Sequence, residues 1–75
     1  MKNKKPDVIK QYYILKKLIA ENETYIAELA NAEIAAEYAG DFDKKSVLLH
    51  EENNFQEIVN LLYDAVGFIE SKWFE

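Results

Sequence analysis

Apolar residues recur along the first half of the chain at alternating intervals of four and three. No Gly or Pro interrupts residues 8–39, and one series of positions at this spacing is mostly apolar. Its members are Val8, Tyr12, Leu15, Ile19, Asn22, Ile26, Leu29, Glu33 and Ala36. Positions so spaced form one stripe on a helix of 3.6 residues per turn. The pattern therefore predicts a first helix over about residues 6–39.

The second half of the chain repeats this pattern more cleanly. Its stripe consists of Leu48, Phe55, Val59, Leu62, Val66, Ile69 and Trp73. Further apolar residues lie beside the stripe at Ile58, Leu61, Ala65 and Phe68. A broad apolar face of this kind is typical of a helix in a bundle. We predict a second helix over about residues 44–74.

The two segments are separated by Gly40, Asp41, Phe42 and Asp43. Gly40 can adopt a positive φ, which commonly ends a helix, and either Asp43 or Ser46 can cap the next helix. Phe42 is expected to close the end of the core. Because so short a connection makes its helices antiparallel neighbours, the sequence predicts an all-α helical hairpin. Positions whose numbers sum to about 83 should then face one another.

The chain of 75 residues is long enough for one small domain. We expect residues 1–5, with lysines at positions 2, 4 and 5, to form a basic disordered tail. Residues 6–75 are then a single helical-hairpin domain.

A lone pair of helices gives each helix only one neighbour, so much of both apolar faces would stay exposed. The missing helices can come from a second copy or from another protein. Because a symmetric dimer is the most common such assembly, we predict a homodimer that forms a four-helix bundle, with a hetero-complex as the alternative. The residues assigned to its core stripe are Leu15, Ile19, Asn22, Ile26, Leu29, Phe55, Leu62, Ile69 and Trp73.

Asn22 is a polar residue at the centre of the first stripe. A buried amide at such a position can fix helix register and oligomeric state. Alternatively, Asn22, Glu23 and Thr24 mark a break in the helix. The stripe keeps its phase across this point, which favours a continuous helix.

The first helix carries a second apolar series on the side opposite its main stripe. Tyr13, Ala20, Ala27 and Ile34 recur at intervals of seven, and Ile9 and Tyr38 flank them. One interpretation is a contact face for another protein, which small alanines would allow to approach closely. The other is that scattered apolar residues on a surface have no special role. On the first interpretation the partner contacts are Ile9, Tyr13, Ala20, Ala27, Ile34 and Tyr38.

The charged residues are nine lysines and fourteen acids, which give a formal charge of −5. The absence of Arg makes nucleic acid an unfavourable partner for the body of the chain. No run approaches the roughly 18 apolar residues of a membrane span, so we expect a cytoplasmic protein without a membrane partner. The preference for Lys, Asn, Ile, Tyr and Phe indicates an AT-rich coding sequence, as in many small bacterial or phage proteins.

Four residues form the only group with possible chemistry: Glu33, Glu37, His50 and Glu51. They are weak metal-ligand candidates because the Glu-x-x-His spacing of di-iron bundles is absent, with Val47 three residues before His50. The chain has one His, no Cys and no Gly-rich phosphate loop. We therefore expect no enzymatic activity, no cofactor and no metal.

Three functional hypotheses follow from these features. The first is a small protein-protein interaction module, a regulator, inhibitor or assembly factor that acts as a helical dimer. The second is an acidic mimic of nucleic acid that inhibits a DNA- or RNA-binding protein. The third is a metal-binding helical bundle built on carboxylates and the His side chain.

Overall fold

Two long α-helices pack side by side in antiparallel orientation. The computed structural model describes residues 5–74, in which α1 spans Val8–Tyr38 and α2 spans Phe42–Trp73. The hairpin measures 59 × 31 × 14 Å, so it is two helices wide and one helix deep. The predicted all-α hairpin is confirmed, and α1 continues through Asn22 without a break. Of the predicted basic tail, residues 1–4 lie outside the described residues, and Lys5 is exposed and not helical.

Each helix begins at an aspartate that caps its N-terminus. The Asp7 carboxylate accepts a hydrogen bond from the Lys10 amide at 3.1 Å, and Asp41 does the same for the Lys44 amide at 3.1 Å. A side chain in this role lies just outside the helix, which explains two corrections. α1 starts at residue 8 rather than 6, and α2 starts at residue 42 rather than 44. The predicted caps Asp43 and Ser46 both lie inside α2.

The turn between the helices closes through backbone hydrogen bonds of the Schellman type. Gly40 has a φ of 75°, in the left-handed region that favours glycine. Its amide donates to the Glu37 carbonyl at 3.0 Å, and the Asp41 amide donates to the Ala36 carbonyl at 2.9 Å. These bonds satisfy carbonyls that the end of α1 would otherwise leave unpaired. The predicted stop at Gly40 is confirmed.

The core is the single seam between α1 and α2. Buried apolar side chains among the described residues are Tyr12, Ile19, Leu29, Ala36, Val59, Val66 and Ile69. Val8, Leu15, Ile26 and Leu62 pack partly buried against the largest cluster of them. Nearly all residues of the predicted core stripe thus lie between the two helices of the same chain, where they are buried or partly buried.

Two aromatic residues differ from their predicted positions. Phe42 is the first residue of α2 and is 63% exposed, so it does not close the core. Trp73 was assigned to the stripe but is 48% exposed at the last residue of α2. Phe74 contacts the core there instead, with its ring centroid 4.6 Å from that of Tyr12.

The helices pair close to the predicted register. Contacting side chains include Tyr12 with Glu70 and Tyr25 with Phe55, whose numbers sum to 82 and 80. The predicted sum was about 83, and a helical turn covers 3.6 residues. The short connection therefore fixes the register to within one turn.

The two glycines should respond oppositely to alanine. Neither position has an atom within 4 Å of an added Cβ, so only the backbone term changes. Gly40→Ala should destabilise the hairpin by about 1 kcal/mol because of the left-handed φ. Gly67→Ala should stabilise it by up to about 1 kcal/mol because Gly67 lies within a helix. Urea unfolding of both variants measures the two changes, and shifts of equal sign would contradict this account of the turn.

Candidate functional site

The flat hairpin has two broad faces, called flank A and flank B, and both helices contribute side chains to each face. Flank B carries the six predicted partner contacts of α1. All of them are exposed, and the large ones are Ile9 at 43%, Tyr13 at 62%, Ile34 at 52% and Tyr38 at 88%. Their common helical spacing places them together along one side of α1. The six side chains are therefore free of the hairpin core.

A groove runs along the middle of flank B. Its lining shows which residues of α2 lie on this flank. It has a volume of about 370 Å³. Its lining consists of Lys16, Ile19, Ala20, Glu23, Tyr63, Val66, Gly67 and Glu70. Ala20 is thus on the same side as Tyr63 and Gly67. The predicted face of α1 continues across the seam, which the sequence pattern of one helix did not indicate.

Gly67 widens this groove because it has no side chain. It also lines a second cavity of about 540 Å³ with Tyr12, Glu70, Ser71 and Phe74. The two cavities share Gly67 and Glu70 in their linings and so lie next to each other toward the open end of the hairpin. Gly67 lies within α2, and the absence of its side chain leaves this part of the helix surface open.

Flank A is the other side of the seam. The Tyr25 hydroxyl donates to the Glu51 carboxylate, and the Tyr25 ring contacts Phe55 edge-on at 4.8 Å, which places Tyr25 and Glu51 on the same side. Residues that share their helical faces define flank A. They are Ile14, Leu18 and Tyr25 of α1 with Ile58, Leu61, Ala65 and Phe68 of α2.

Three tyrosines of the hairpin donate hydrogen bonds to glutamates of the facing helix. Tyr12 donates to Glu70 at 2.7 Å and Tyr63 to Glu23 at 3.0 Å, both beside the groove of flank B. Tyr25 donates to Glu51 on flank A. In each pair the bond to the glutamate, followed by burial, raises the pKa of the tyrosine. These pairs lie along both edges of the seam and fix the rotation of one helix against the other.

A pair of carboxyl groups lies in the seam near the turn. Glu33 is 9% exposed, and its Oε2 atom has no hydrogen-bond donor in the described structure. The pKa of Glu33 is raised, first by its hydrogen bond with the Glu52 carboxyl, then by burial and by the charge of Glu52. Lys45 opposes this effect but also pairs with Glu37. Protonation of Glu33 supplies the donor that a hydrogen bond between two carboxyl groups requires.

The weak metal-ligand candidates are not brought together. Glu33 faces Glu52, Glu37 pairs with Lys45, and Glu51 accepts from Tyr25, whereas His50 is exposed. Among residues 5–74, no three His, Asp or Glu side chains are grouped closely enough to hold a metal ion. Glu52, rather than His50 or Glu51, meets Glu33, and the sequence pattern did not indicate this pairing.

Charge is distributed unevenly along the hairpin. The half nearest the turn, residues 23–58, contains nine acids and two lysines, a net charge of −7. The open half, residues 5–22 and 59–74, contains four acids and five lysines, a net charge of +1. The net charge of the chain is therefore concentrated at one end of an elongated molecule.

No protein-family model, curated protein or solved structure matches this chain. Neither α1 nor α2 is apolar enough, within the part of the chain that the structure describes, to cross a lipid bilayer.

Removing the Tyr12 hydroxyl should destabilise the hairpin. Tyr12→Phe leaves the Glu70 carboxylate beside the seam without its 2.7 Å donor. The urea midpoint should fall below that of the wild type. Tyr13→Phe is a matched control because the neighbouring ring is exposed, and its midpoint should not change. Equal midpoints for both variants would show that the Tyr-Glu bond does not stabilise the hairpin.

Stability should depend on the protonation of Glu33. The pKa of folded Glu33 lies above its ordinary value of 4.5, so the folded state binds the proton more tightly than the unfolded chain. The stability that this proton supplies is complete below pH about 4.5 and is lost as pH rises through the folded pKa. Glu33→Gln should therefore gain stability over the wild type as pH rises from about 4 to 7.

Urea unfolding across this pH range provides the measurement. Glu28→Gln is the control because Glu28 is an exposed residue of the same helix. Its difference from the wild type should vary less with pH than that of Glu33→Gln. If the two variants showed the same pH dependence, the carboxyl pair would not be the cause.

Proposed function

We propose that this protein is a small non-enzymatic interaction module that acts as a helical dimer and occupies a surface of another protein. As a regulator, inhibitor or assembly factor it would need an exposed recognition surface and no reactive group. The observation that carries the proposal is the exposure of flank B. Large apolar residues such as Tyr13 and Ile34 face outward there, although burial of such side chains is strongly favourable.

The composition of flank B suits recognition of a protein. Tyr13, Tyr38 and Tyr63 combine apolar rings with hydroxyl groups, and tyrosine is enriched at protein interfaces. The groove between the helices adds Lys16 and Glu70 as polar groups at its walls. A partner with an apolar side chain that enters the groove near Gly67 and with polar groups around it would match this surface.

The dimer in this proposal is a four-helix bundle of two hairpins. Among the described residues, fifteen large apolar side chains are exposed and only seven apolar residues are buried, so exposed apolar side chains outnumber buried ones. A thickness of 14 Å means that each helix is covered on one side only. A second layer of helices would cover one flank and leave the other for the partner.

The charge of −7 on the turn half supports a second candidate, an acidic mimic of nucleic acid. Such a mimic would bind a basic protein through carboxylates rather than through flank B. The two candidates differ in their response to salt, because screening weakens interactions between exposed charges but not apolar contacts.

Substitutions on flank B should abolish capture of the partner. Affinity capture from the native host is expected to yield a protein with the wild type, but not with Ile34→Asp, and at a reduced level with Tyr13→Ala. Ala35→Asp is the matched control because it places the same charge one residue away, at another exposed position. Circular dichroism establishes that all variants remain helical.

The outcome separates the candidates. Equal capture by folded Ile34→Asp and wild type would contradict a contact through flank B. If the partner binds flank B, it should stay bound when salt is raised from low to moderate concentration. Steep loss of the partner over that range would instead favour the acidic mimic.

A further inference from the structure

We infer that flank A of this protein docks on flank A of a second copy, with the two hairpins antiparallel, so that the turn of each lies over the open end of the other. The inference rests on the proposed function, since it names the surface through which the dimer forms and leaves flank B for the partner.

Flank A exposes large apolar residues of both helices. Leu61 is 68% exposed, Phe68 58%, Ile14 48% and Ile58 41%, although all four are large apolar residues. Charged residues on this side include Glu51, which accepts the Tyr25 hydroxyl, and Lys72, whose Nζ lies 5.7 Å from the centroid of the Phe68 ring. Glu21 follows Ile14 by two helical turns and lies on the same side of α1. The groove of flank B is lined by three charged side chains.

The exposed area fits the requirement of a homodimer. The chain has 5994 Å² of accessible surface, whereas a compact monomer of 8.8 kDa has about 4,800 Å². The excess of about 1,200 Å² belongs to the whole elongated hairpin, and it is close to the area that each chain contributes to an obligate homodimer, about 1,000 Å² or more. A second copy is always present with the first, so it can cover this surface whenever the protein folds.

Charge sets the orientation of the two copies. If the turn ends lay together, two halves of charge −7 would face each other at short range. In the antiparallel arrangement each half of −7 faces a half of +1, and the two acidic ends are separated by more than a Debye length of about 8 Å. Like-charge repulsion across the interface therefore selects the antiparallel dimer.

This geometry places equivalent helices against each other. A twofold axis perpendicular to the long axis stacks α1 on α1 and α2 on α2 of the second copy. Ile58 lies at the midpoint of α2, so it would contact its own equivalent across the axis. Small residues such as Ala65 allow the facing helices to approach closely.

Measurement of molecular mass in solution tests the surface. We expect the wild type at twice its chain mass of 8.8 kDa and Leu61→Lys at 8.8 kDa, a twofold decrease. Ile34→Lys, on flank B, is the matched control and should keep the dimer mass. A helical wild type at 8.8 kDa, or a dimeric Leu61→Lys, would overturn the inference.

A spin label tests the orientation without altering flank A. The chain has no cysteine, so Ser46→Cys, at an exposed position near the turn, can be labelled specifically. We expect a distance above about 30 Å between the two labels, because each lies about 12 residues from the midpoint of α2. A distance below about 20 Å would overturn the antiparallel arrangement. This measurement decides the question even if Leu61→Lys fails to fold.

Neither measurement involves the partner protein, so the inference and the proposed function can fail separately. A monomeric chain that still captures a partner through flank B would refute the dimer and leave the role of flank B intact. A dimer whose capture is unaffected by Ile34→Asp would refute the role of flank B alone.

Discussion

Two helices joined by a short turn share a single interface, and this constraint governs the rest of the molecule. Each helix can bury only the side chains that face its neighbour, as Val59 does at 1% exposure. Apolar residues on either side of that line stay in contact with solvent, as Leu61 does two residues away. Both flanks are therefore direct consequences of the architecture, and so is their availability to other chains.

The fold follows from the spacing of apolar residues because packing along an apolar face supplies most of the stability of a helix in a protein. The series through Ile19 and the series through Val66 predicted both helices, and Gly40 predicted the turn. The exact helix ends did not follow, because an aspartate can occupy a cap or the first turn equally well. Asp41 rather than Asp43 is the cap since the Schellman bonds end at its own amide.

Only the part of the candidate site that lies on α1 could be predicted from the sequence. Periodicity identified the outward face of α1, since that depends on one helix alone. The contribution of Tyr63 and Gly67 depends on the rotation of α2 about its axis, which the apolar stripe specifies only broadly. The same limit explains why the pairing of Glu33 with Glu52 was missed: the sequence placed Glu33 near the second helix, but a rotation of 100° per residue decides which glutamate it meets.

The left-handed conformation of Gly40 has a topological consequence. A chain that stayed helical at this residue would run α1 into α2 as one rod about 100 Å long. Its apolar stripes would then have to pair with those of another molecule, in a domain-swapped assembly with the same side-chain contacts. One residue at φ 75° thus decides whether the interface between α1 and α2 closes within a chain or is exchanged between chains.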